Sequence, residues 1–121
     1  MGTVKGDIHD LGKSIVRDLL ECSGYEVVDL GVDVPPEAFT EKTKEFKPQV
    51  IGLSALLTAA VGQAKITVED VKEKVHEEDV RIIIGGGVVG EVSAEELGVD
   101  FATTNANEGI RRIEAWIAGE R

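Results

Sequence analysis

A chain of 121 residues is long enough to bury one core and too short for two. Its 23 acidic and 13 basic residues give a net charge of −10, which repels phosphate backbones and argues against nucleic acid as a partner. Apolar residues are 42% of the chain, and no run approaches the roughly 18 that a membrane span needs. No signal-peptide pattern opens the chain, so a cytoplasmic location and no membrane partner are expected. Cys22 is the single cysteine; it excludes an internal disulfide and reads as a small buried thiol on a helix.

In chain order, Thr3 and Val4 lead into the segment Gly6-Asp7-Ile8-His9-Asp10-Leu11-Gly12. A central first strand needs ~5 residues, so residues 1–5 read as a truncated strand with a segment that normally precedes it expected to be missing; an unusually short first strand is the alternative. A helix follows over residues 12–23, with Ile15, Val16, Leu19 and Leu20 on one face and Gly24 as its left-handed stop. Val27, Val28, Asp29 and Leu30 form the second strand. Pro35 and Pro36 open a helix carrying Ala38, Phe39 and Phe46, which ends before Pro48.

Residues 50–53 and 81–84 are apolar runs of the kind buried on both faces of a sheet, and residues 101–103 make a shorter strand. Helices are expected at 59–77, 93–97 and 106–118, with His76 on a solvated helix surface. Strand–helix alternation of this kind gives an α/β domain over residues 1–121. It is a doubly wound, five-stranded parallel sheet in the flavodoxin-like order 2-1-3-4-5, its first strand truncated.

In such a sheet the ligand sits beyond the carboxyl ends of the strands. Three loops meet there. The first carries Asp7 and His9, close enough for Asp7 to hold one ring nitrogen and leave the other for a metal; a helix cap with a turn-forming Asp7 is the plainer alternative. The second runs Ser54-Ala55-Leu56-Leu57-Thr58, whose hydroxyls also suit a helix cap. The third is Gly85-Gly86-Gly87, a turn or a wall without Cβ atoms against which a ligand can lie. No lysine accompanies these glycines, which excludes a P-loop, and no dinucleotide fingerprint follows the first strand. The scattered aromatic residues do not build a flavin sandwich.

Asp7-x-His9-x-x-Gly12, then Ser54-x-Leu56, then Gly85-Gly86 resemble the three signatures of cobalamin-binding domains that bind their cofactor base-off with histidine on cobalt. The pattern spans nearly the whole chain. The stretches 2–13, 29–35 and 54–58 look most like corrinoid proteins of methyltransferase systems and the matching domain of methionine synthase. The resemblance implies that His9 is the lower cobalt ligand with Asp7 on its far nitrogen. It implies that Gly6, Ile8 and Asp10 line the lower corrin face. The nucleotide tail would pass Gly85 and Gly86, with Ser54 bonded to its base, Thr58 nearby, and Asn105 and Ala106 closing the far side. Gly86→Val is then expected to block the slot and leave the fold intact.

Three departures stand out against that family. Ala60 occupies a position where methyl carriers often have a hydroxyl, Gly87 one where alanine is common, and no upstream helical cap module is present. The implied function is a corrinoid methyl carrier, not catalytic alone, working between methyltransferase subunits that donate and accept the methyl group. A cobalamin subunit of an adenosylcobalamin mutase and a B12-binding regulatory module are the alternatives.

Overall fold

The computed structural model describes residues 1–5, 11–55, 58–75, 80–87 and 94–119. A parallel sheet takes β1 (Gly2–Thr3), β2 (Val50–Ser54), β3 (Arg81–Gly85) and β4 (Phe101–Thr103), hydrogen-bonded in the order β1-β2-β3-β4. The helices are α1 (Leu11–Cys22), α2 (Pro36–Phe46), α3 (Val61–Lys74), α4 (Ala94–Leu97) and α5 (Ala106–Ile117), with a 3₁₀ turn at Thr58–Ala60 ahead of α3.

Side-chain alternation divides the core between the two sheet faces. Ile51, Leu53, Ile82 and Ile84 join Phe39 of α2 and Ala64, Val68 and Val71 of α3 in one layer. Ile83 points the other way and meets Leu20 of α1 and Ile113 of α5, with Met1, Val50 and Trp116 packed around them. Burial on both faces is why Ile82, Ile83 and Ile84 form an unbroken apolar run.

Four strands are assigned among the described residues where five were expected. The expected second strand at residues 27–30 is not one, although its backbone lies against β1. The Met1 nitrogen donates to the Val28 carbonyl at 2.7 Å, Leu30 N–H to Met1 O at 2.8 Å, and Thr3 N–H to Gly31 O at 2.9 Å. Continued from Met1, a regular parallel ladder would bring Thr3 N–H to the residue 30 carbonyl and the residue 32 N–H to the Thr3 carbonyl; instead the partners are Gly31 O and Val34 N–H, the latter at 2.9 Å. Two extra residues are accommodated between Met1 and Val4, with Gly31 at φ 93° and Asp33 at φ 51°, so the edge bulges and only the bridge between Val4 and Val34 is regular.

Other differences are local. Of the four apolar positions in α1, Leu20 is buried and Val16 half-buried, while Ile15 and Leu19 are 47% and 45% exposed. Cys22, expected to be buried, is exposed, because it closes the last turn of α1 beyond its packed stripe. The third helix is shorter than expected: α3 ends at Lys74, and Val75 is extended at φ −114° and ψ 116°. Helix α2 stops at Phe46 through a left-handed Lys47 at φ 54°, whose N–H bonds the Thr43 carbonyl before Pro48. Gly24 is left-handed at φ 94°, as its position after α1 requires.

Candidate ligand site

Parallel register aligns one row of residues along the carboxyl edge. Thr3 pairs with Ser54, Ser54 with Gly85, and Gly85 with Thr103. Each is the last residue of its strand, so the chain leaves the sheet from this row four times. The row lies on the α1/α5 face and opens into a cavity of about 190 Å³ between sheet and helices. Small residues hold that space open. Gly52 and Ser54 lie on its β2 wall, Gly85 at the end of β3, and Gly109 on the α5 wall. A Cβ on Gly109 would meet Thr103 Cγ2 at 3.4 Å and Ile83 Cδ1 at 3.7 Å, so α5 approaches β4 here to within ordinary side-chain contact.

The expected residues divide into three groups. Ser54, Gly85, Gly86, Asn105 and Ala106 are brought together around the cavity. Gly6, Asp7, Ile8, His9 and Asp10, together with Leu56, lie outside the described residues. Gly12 falls in the first turn of α1 and Thr58 opens the 3₁₀ turn, while Gly87 is exposed past the end of β3.

Gly86 lines the cavity and also has a steric role that its motif did not imply. It is left-handed at φ 119°, and a Cβ built on it would lie 2.2 Å from the Ala55 carbonyl oxygen. That atom is backbone and cannot turn aside, so Gly86 is required by the close crossing of two loops; a valine here would disturb the fold itself. Gly85 is the glycine that fits the open-wall reading. A Cβ there would meet only the Thr103 carbonyl oxygen at 3.5 Å, an ordinary contact.

Asn105 caps α5, its Oδ1 accepting from Glu108 N–H at 3.1 Å, while its own N–H donates to Thr103 Oγ1 at 3.0 Å. Thr103, Lys13, Gly52 and Gly109 also line the cavity and were not singled out from the sequence. An isolated glycine inside a strand or helix pattern was the available signal for the last two.

An ionic anchor stands behind the site. Lys13, its side chain 2% exposed, donates to Asp29 Oδ1 at 2.5 Å, and Arg17 Nη1 donates to Asp29 Oδ2 at 2.8 Å. Asp29 Oδ1 also accepts from Gly31 N–H at 2.9 Å. Burial pushes the Asp29 carboxyl up, but the bonds from Lys13, Gly31 N–H and Arg17 outweigh it and hold the group below its ordinary value. The first two turns of α1 are thereby tied to the chain beside β1.

Comparison with known proteins agrees with this geometry. Residues 1–111 match the family model described as the B12 binding domain. The chain is 41% identical over 117 residues to a dimethylamine corrinoid protein 1 from Methanosarcina acetivorans, covering 97% of this chain and 55% of that protein. It superposes with TM-score 0.89 and 42% identity on a cobalamin-binding protein from Desulfitobacterium hafniense DCB-2, covering 95% of this chain and 56% of the other. With the methanol:cobalamin methyltransferase complex from Methanosarcina barkeri the TM-score is 0.85 at 30% identity, covering 98% of this chain and 45% of that one. The chain thus spans about half the length of the proteins it matches. A carboxyl-edge row opening into a small-residue cavity, in a chain matched over residues 1–111, places this protein in the B12-binding domain family.

Proposed function

We propose that the chain binds cobalamin or a related corrinoid at the carboxyl edge and serves as the methyl-carrier domain of a corrinoid-dependent methyltransferase system. The observation that carries the reading is the Ser54–Gly85–Thr103 row and the cavity beneath it. A chain that needed only to pack this face would fill it with larger side chains. Its relatives' names point the same way, to corrinoid proteins and a methanol:cobalamin methyltransferase.

When bound, the corrinoid supplies the cobalt chemistry of methyl transfer. The protein's part is to bind and orient. The Ser54 hydroxyl is available to bond a polar atom of a nucleotide tail, Gly85 lets that tail lie against backbone, and Gly109 keeps the opposite wall low. His9 would be the residue that holds the cobalt, and Asp7 would orient its ring. This role rests on the motif, since both residues lie outside those described. Methyltransferase subunits that donate and accept the methyl group are the assigned partners, in a cytoplasmic setting. No described helix is long and apolar enough to cross a membrane.

The test is the visible spectrum of the purified chain titrated with hydroxocobalamin, for the native protein, Gly85→Val and His9→Gly. Uptake by the native chain is expected. Gly85→Val should lose uptake while melting near the native temperature, and His9→Gly should bind without the histidine-ligated spectrum. Equal uptake by native protein and Gly85→Val would remove the cavity from the site.

A further inference from the structure

Among the described residues, the side of β4 away from β3 is a free lateral edge of the sheet. Backbone bonding shows what that edge offers. Arg81 N–H donates to Gln49 O and Gly85 O accepts from Ala55 N–H, so these residues of β3 face β2, and Ile82 and Ile84 between them face β4. Asp100 N–H accordingly reaches the Ile82 carbonyl at 2.8 Å. With Ile84 opposite Ala102, a parallel ladder bonds Ile84 to the residues on either side of Ala102. The N–H and C=O of Ala102 therefore point outward, and none of the described residues pairs with them.

Above that edge α5 presents two opposite charges. The Arg112 guanidinium lies 4.4 Å from the centre of the Phe101 ring and 6.0 Å from that of Trp116, which holds it at the margin of β4. Glu108 stands one helical turn earlier on the same flank, with its side chain exposed. The other flank of α5 faces inward along the sheet, where Ile110 and Ile117 pack in the layer with Leu20 of α1. Among the described residues neither Arg112 nor Glu108 has an ion-pair partner.

We propose that this edge is a homodimer interface: β4 pairs antiparallel with β4 of a second copy about a two-fold axis at Ala102, and Arg112 of each copy pairs with Glu108 of the other. Strand and helix call for the same axis. A two-fold at Ala102 lets its N–H and C=O exchange bonds with the same groups of the second copy, and it sets Phe101 opposite Thr103. On α5, Arg112 lies over Phe101, while Gly109 lies over Thr103, 3.4 Å separating its Cβ position from Thr103 Cγ2. Glu108, beside Gly109, is therefore brought level with Arg112 of the second copy, and the symmetry returns the same pair on the other side. This complementarity selects a second copy as the occupant, because the two free charges match each other under the operation that the strand edge requires. With β4 only three residues long, Arg112, Phe101 and Trp116 carry most of the contact.

Sedimentation velocity of the full chain over a concentration series tests this, in about 0.15 M salt, where repulsion between two chains of charge −10 is screened beyond about 8 Å. A dimer is expected, with amide exchange at Ala102 slowing as concentration rises. Arg112→Glu and Glu108→Arg should each raise the dissociation constant by about tenfold. An equimolar mixture of the two variants should dimerise more tightly than either alone, since opposite charges then face each other across the axis. Glu108→Arg changes an exposed side chain and should melt near the native temperature, so it decides the matter if Arg112→Glu fails to fold. A chain that stays monomeric throughout the series overturns the proposal. So does a dimer that Glu108→Arg leaves unchanged, or Ala102 exchange that is independent of concentration.

Discussion

Gly85 and Gly86 are neighbours with opposite consequences. Gly86→Ala places a Cβ 2.2 Å from the Ala55 carbonyl oxygen at a left-handed φ of 119°. A loss of about 2–4 kcal/mol in urea unfolding is expected. Gly85→Ala meets nothing closer than 3.5 Å and should unfold within about 1 kcal/mol of native. The sequence shows three identical letters at 85–87, and only the crossing of the Ala55 loop, a long-range event, tells them apart. Met1 offers a second measurement. Burial lowers its amine from 8.0 to about 6, with Asp29 pulling it up and Lys13 pushing it further down. The folded state thus holds the proton less tightly than the unfolded chain. Stability is lowered below pH 6, rises between 6 and 8, and is full above 8, by about 2–3 kcal/mol across the window. Acetylating Met1 should flatten that slope, and urea titrations at several pH values would show it.

Among the elements, α1 is held by a charge cluster as well as by its apolar stripe. Ile15 and Leu19 are about half exposed, Leu20 is buried, and Lys13 and Arg17 add bonds to Asp29. The partners are not equivalent. Asp29→Ala removes the acceptor shared by Lys13, Arg17 and the Gly31 N–H, and a loss of about 3–5 kcal/mol is expected. Lys13→Met leaves Asp29 its bonds from Arg17 and Gly31 N–H and should cost less. Because the Asp29 carboxyl is lowered below its ordinary 3.8, its contribution is present above that value and is lost as pH falls through the folded one. Chemical denaturation of both variants checks the order. The helices and β2, β3 and β4 were legible because two-sided burial writes apolar runs and capping residues write the stops. The segment at 27–30 reads equally well as a strand, yet its ladder fails at the two extra residues around Gly31 and Asp33. A bulge is a property of the pair of strands, which neither strand spells out alone. For the same reason Ser54 and Gly85 could be found from motifs, whereas Thr103 became visible only through its pairing with Gly85.

Over the whole molecule, the sheet has one cavity at each edge. The carboxyl-edge cavity is kept open by glycines and a hydroxyl, and the amino-edge one lies beside Met1 at the start of β1. Ligand uptake at the first should stabilise the fold by mass action, about 2.7 kcal/mol at a hundredfold excess over Kd. A melting shift on adding hydroxocobalamin, absent in Gly85→Val, is the expected result. The exposure of Cys22 has a practical consequence. It is the chain's sole thiol, at the far end of α1 from Leu11, and a twelve-residue helix separates its two ends by roughly 16 Å. A maleimide dye there stands clear of the cavity yet well inside the range of energy transfer to a coloured corrin ring. Its emission should dim as cobalamin loads and recover on release, giving a single-site optical readout of occupancy without engineering a new attachment point.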